Sequence, residues 1–182
     1  MIRPLSRPKS RSAGFTLFEL IIVIILVGMF AGVLLGRFQM YQEAAEKAAM
    51  EQTAGAIRSA LNIQLAALIA RGKAEDIPRL AALNPVTLLA EKQRNYVGEY
   101  YDTAGSDIPP GSWYYDLKNR QLVYLVDRGA HFLPDKSGKK WVRYRVGLVH
   151  NDALPGAGNA PNREIAGITF TEVEPYVWKP GQ

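Results

Sequence analysis

The sequence contains no cysteine, which removes thiol catalysis, cysteine-ligated zinc and disulfide bonds together. It has only two histidines, His131 and His150, and neither belongs to a metal-ligand spacing such as H-E-x-x-H. A surface or strand-end position accounts for both. No glycine-rich phosphate loop and no nucleophile elbow is present. These absences argue against an enzyme. They also mean that the folded part is held by packing alone.

Charge of one sign is scarce beyond the first residues. The chain of 182 residues has 22 Lys and Arg against 17 Asp and Glu. Arg3, Arg7, Lys9 and Arg11 lie in the first fourteen residues, and without them 18 basic side chains face 17 acidic ones. A protein basic throughout would suggest nucleic acid. A basic tip ahead of an apolar run suggests membrane orientation instead, by the positive-inside rule.

That run extends from Phe15 to Gly36 with Glu19 as its single charge. As a helix it would span roughly 33 Å, enough for a hydrocarbon core of about 30 Å. A secretory signal peptide places its small-residue cleavage site after the apolar region, whereas Ala13-Gly14 comes before it here. A plain signal anchor has no use for Glu19. An ionisable group within a span costs about 2.5–3.5 kcal/mol or more and marks a function with a partner to be found.

The segment Gly14-Phe15-Thr16-Leu17-Phe18-Glu19-Leu20, with its basic leader, resembles the cleavage and methylation site of type IV pilins and the related pseudopilins of type II secretion. The resemblance covers about 25 residues, the basic leader included, and implies several things. Prepilin peptidase would cut between Gly14 and Phe15 and leave Phe15 N-methylated. A glycine before the cut suits a protease that takes its substrate extended, because no Cβ obstructs it. Glu19, then fifth in the mature chain, would pair during assembly with the Phe15 amine of a neighbouring subunit. Within one helix it could pair with its own amine, or it could simply snorkel to the interface. Gly36 stands where many major pilins carry a kinking proline, which implies a minor pilin or pseudopilin.

Beyond the apolar run, QEAAEKAAMEQTAGAIRSALNIQLAALIARG lacks proline and is rich in strong helix formers. Ile57, Leu61, Leu65, Leu68 and Ile69 make one apolar stripe. Residues 39–54 read as a polar, alanine-rich surface, solvated or packed in a filament. Gly72 is a natural helix stop. One helix from Phe15 to Arg71 would measure about 85 Å.

Asn84-Pro85 predicts a brief helix to about Glu91, and residues 102–111 a loop. Strands are expected at Trp113 to Asp116 and Gln121 to Val126 around a turn near Lys118-Asn119, then along WVRYRVGLV and from Ile165 to Val173. In WVRYRVGLV, Val142, Tyr144, Val146 and Leu148 alternate with Trp141, Arg143 and Arg145. The expected fold is α+β, a long helix packed on a roughly four-stranded antiparallel sheet, as in pilins. Its divisions are a leader (1–14), a membrane half of the helix (15–36), a second half outside the bilayer (37–72) and a head (73–182).

Lys139, Lys140, Trp141, Arg143 and Arg145 are candidates for contact with a partner or with single-stranded nucleic acid, since aromatics among cations can stack bases. An ordinary solvated sheet face explains the same residues, so nucleic acid is not the expected partner. Asp102, Asp107 and Asp127 lie in or beside loops. Calcium needs six to eight oxygens, and no compact acidic loop supplies them, so neither metal nor cofactor is expected. The resemblance implies prepilin peptidase, other pilin-type subunits and an inner-membrane assembly platform as partners, with a single span and a periplasmic head. A signal-anchored periplasmic binding domain that never polymerises is the alternative.

Overall fold

The computed structural model describes residues 15–103, 107–150 and 165–180. The leader, with Gly14, lies outside the described residues. The chain divides at Gln39/Met40 into two units.

In the first unit, helix α1 (Leu17–Ala70) begins and runs through the apolar segment. Every side chain from Phe15 to Gln39 is exposed, and this stretch is long and apolar enough to cross a membrane. An all-round apolar surface of this kind is stable only in an apolar medium.

The second unit contains the rest of α1 and everything after it. The absence of proline lets α1 run without a break, and Gly72 stops it. Its φ of +68° is reached cheaply only without a Cβ, and the Lys73 N–H returns to the Leu68 carbonyl at 2.9 Å. Helix α2 (Ile77–Ala82) follows, with Pro78 in its first turn. The helix expected from Asn84 is one turn of 3₁₀ type, Pro85–Leu88. The Asn84 side chain caps it by accepting the Val86 N–H at 3.1 Å.

The strands are β1 (Tyr96–Tyr100), β2 (Trp113–Asp116), β3 (Gln121–Leu125), β4 (Phe132–Leu133), β5 (Trp141–His150), β6 (Ile165–Glu172) and β7 (Val177–Trp178). Five of them form one sheet in the order β1-β2-β3-β5-β6, and β4 pairs with β7 in a separate ribbon. The fold is α+β and pilin-like, as expected, but the sheet is mixed rather than wholly antiparallel, because β1 runs parallel to β2. The β2–β3 hairpin turns where it should: Asp116 Oδ1 accepts the N–H groups of Lys118 and Asn119 at 2.9 and 3.1 Å.

One face of the sheet packs on α1. Met50, Ala54, Ile57, Leu61 and Leu65 meet Trp113, Tyr115, Leu122, Tyr124, Val142, Tyr144, Ile168 and Phe170 in a continuous core. Their spacing of three and four residues puts them on one side of the helix. Burying each large aliphatic chain contributes about 1.5–3 kcal/mol. Two helix readings need correction. Ile69 is 54% exposed and outside the stripe, while Glu43, Met50, Thr53 and Ala54, within the stretch read as surface, are buried. On the other face Ile108, Tyr114 and Val123 form a small second cluster.

Candidate functional site: an amino-terminal signal and a basic sheet face

Phe15 and Thr16 precede the helix, and α1 starts at Leu17. Thr16 makes that start. Its Oγ1 accepts the Glu19 N–H at 3.2 Å, and its carbonyl accepts the Leu20 N–H at 3.1 Å. A threonine followed three residues later by a glutamate is the capping-box spacing. That spacing stands in the sequence itself, from Thr16 to Glu19. Glu19 in the first turn also faces the positive end of the helix dipole.

Phe15 is 78% exposed, and Glu19 is exposed as well. Among the described residues no cation pairs with the Glu19 carboxylate. The end of the helix therefore presents an aromatic residue off the helix and an acceptor one turn in.

The basic group is arranged differently. Alternation along β5 does put Trp141, Arg143 and Arg145 on one side, with Val142 and Tyr144 buried on the other. Most of the cations are occupied. Arg143 Nη2 lies 2.8 Å from Glu174 Oε2 and 3.8 Å from Asp135 Oδ2. Lys140 Nζ donates to the Gly129 carbonyl at 2.6 Å. Lys139 Nζ and Arg143 Cζ stand 4.6 and 4.9 Å from the centre of the Trp141 ring.

The Trp141 indole N–H donates to Asp135 Oδ2 at 2.6 Å. Burial would raise the Asp135 pKa, but the Ser137 hydroxyl, that indole and the Lys139 and Ser137 amides hold it down to about 2. The cluster braces the turn at 135–140. A base stacking on Trp141 would compete with these cations for the ring. Arg145, opposite Thr171 on β6, is exposed, as is Lys140.

His150 ends β5, and His131 sits beside β4 against Glu43. Asp102 pairs with Lys118 at 2.7 Å, and Asp127 gives its N–H to Glu46 at 2.8 Å. Among the described residues no three His, Asp or Glu side chains are grouped to hold a metal ion.

Residues 9–35 match the family model described as the prokaryotic N-terminal methylation motif. No curated protein and no solved structure matches the chain. A capped, membrane-length helix headed by this motif, with its second half packed on a mixed sheet, defines a pilin-type precursor. That motif is the amino-terminal signature of type IV pilins and pseudopilins, and it supports this family for the chain over residues 9–35.

Proposed function

We propose that the chain is a prepilin of the inner membrane, a minor pilin or pseudopilin, whose work is structural. Residues 1–14 are a leader that prepilin peptidase removes after Gly14, leaving N-methyl-Phe15. Residues 15–36 store the subunit in the bilayer, and residues 37–72 and 73–182 form the rest of the spine and a periplasmic head. An assembly platform lifts the subunit into a type IV pilus or a type II secretion pseudopilus, where spine helices pack together to serve secretion, adhesion or pilus biogenesis.

The observation that carries this reading is the motif match over residues 9–35, together with the single charge at Glu19 in the span. The methylation motif specifies chemistry on an amine that does not exist until the leader is cut. That amine is a positive charge, and its natural counter-charge in the apolar segment is Glu19. Two opposite charges in a medium of low dielectric offset each other's desolvation only when they meet. A non-polymerising anchored domain gives neither the motif nor the carboxylate a role.

The mass of the amino-terminal peptide tests the reading. Purified from its own host membranes, the chain is expected to begin at N-methyl-Phe15. An intact Met1, or a cut beyond Gly32, would instead indicate the anchored binding domain.

A further inference from the structure

One turn of α1 carries Glu43, Glu46 and Lys47, and all three reach segments far along the chain. Glu43 Oε1 accepts the His131 backbone N–H at 2.8 Å and the Trp178 indole N–H at 2.9 Å. Its Oε2 lies 2.7 Å from His131 Nδ1. Glu46 Oε1 accepts the Tyr124 hydroxyl at 2.9 Å and the Asp127 N–H at 2.8 Å, and its Oε2 accepts the Arg128 N–H at 2.7 Å. Lys47 Nζ donates to the Trp178 carbonyl at 2.9 Å.

What these contacts hold is the β4–β7 ribbon, in which Phe132 faces Trp178 and Leu133 faces Val177. The ribbon contributes Phe132 and Trp178 to the core. Glu43 lies beneath it, 2% exposed. With Nδ1 of His131 protonated, all its partners are donors, so only an ionised carboxylate satisfies them. A protonated acid would set its own O–H against one of those N–H groups and leave a buried polar group unpaired.

We propose that Glu43 is an acid-sensitive catch that fastens the carboxy-terminal ribbon to α1 and releases it when the carboxylate is protonated. This goes beyond the filament reading and does not depend on it. The charged groups facing the catch come from every element around it. His131 supplies the charge that acts on Glu43, while Lys47 on α1 holds the Trp178 carbonyl, Lys140 before β5 holds the Gly129 carbonyl and Glu46 on α1 holds the Asp127 and Arg128 amides.

Burial on its own would raise the Glu43 pKa. The hydrogen bonds from His131 and Trp178 and the nearby imidazole outweigh it and hold the group below the ordinary carboxylate range. A folded-state pKa below the unfolded value of about 4.3 means that the stabilisation is complete above that pH. It is lost as pH falls through the lower folded value. The catch is closed at neutral pH and opens in acid.

Hydrogen exchange on the full chain in detergent micelles, corrected for the intrinsic pH dependence of exchange, tests this. Glu43→Gln keeps the shape but puts an NH2 among donors. At pH 7 it should lower protection of amides in 131–133 and 176–179 by about ten- to a hundredfold, the worth of a hydrogen bond to a charged group. Amides of β2 and β3 should stay as in the wild type. The wild type should show the same local loss only on acidification. Wild-type protection of the ribbon in Glu43→Gln at pH 7, or an unchanged acid step in that variant, overturns the proposal. Should Glu43→Gln fail to fold, Trp178→Phe removes the indole donor while keeping an aromatic ring in the core. It should move the acid step to higher pH, and an unmoved step is equally fatal.

Discussion

A Gly14→Leu chain is expected to accumulate at full length, with Met1 and the leader retained, in cells whose prepilin peptidase processes the wild type to completion. Phe15 and Thr16 lie outside α1 because Thr16 caps the helix at Leu17, so the carboxyl side of the proposed cut lies ahead of the helix rather than within a helical turn. A β-carbon and a branched side chain at position 14 obstruct the approach that glycine leaves open. The loss is all-or-none on an immunoblot and has a second consequence. An uncut chain keeps the Phe15 nitrogen in a neutral peptide bond, so Glu19 has no amine to meet. The unprocessed subunit should therefore remain in the membrane fraction. Efficient cleavage of Gly14→Leu would place the cut, and the account of Glu19, elsewhere.

Glu19→Ala should separate insertion from assembly. Removing a carboxylate from the span relieves a cost of about 2.5–3.5 kcal/mol, so the monomer should insert at least as well as the wild type and be cut normally. Incorporation into filaments should fall to background. Glu19→Gln should fail in the same way, because its side chain retains hydrogen-bonding capacity but not the charge that offsets a buried amine. The outcome that contradicts this role is normal incorporation of the alanine variant. Loss of membrane insertion would contradict it differently, by making Glu19 a determinant of the monomer.

Local periodicity carried most of the fold. The three- and four-residue spacing of Ile57, Leu61 and Leu65 gave the buried stripe, and two-residue alternation in 141–148 put Val142 and Tyr144 inward. What escaped was set by distant partners. Strand β1 is five residues long, with Gly98 at φ +123° and a register shift beside it. It shows no alternation, and its pairing to β2 is parallel, so no hairpin turn announces it. The two-residue strands β4 and β7 are too short for any period and exist because Phe132 and Trp178 reach the core.

Glu43 and Glu46 look like solvated helix positions, since glutamate is rarely buried. Their donors arrive from His131, Trp178 and the 124–128 segment. The same limit governs the basic face. The sequence places Trp141, Arg143 and Arg145 on one side correctly, but the carboxylates of Asp135 and Glu174 that hold Arg143 are supplied by other segments. The amino-terminal signal is the opposite case. The motif's glycine, cap and carboxylate lie within six residues, from Gly14 to Glu19, and such a signal can be read without any tertiary contact.

The central claim is that this chain works packed against other subunits of its own kind, and a photo-crosslinking amino acid at Ala48 tests it most directly. Ala48 is exposed on the second half of α1, on the surface that a spine helix would turn to its neighbours. Irradiating cells with the assembly machinery intact should yield an adduct whose second component, identified by mass, is a mature chain carrying the same amino-terminal methylation motif. The adduct should vanish in the Glu19→Ala background. Monomer alone after irradiation, or an adduct to a protein without that motif, would contradict the account.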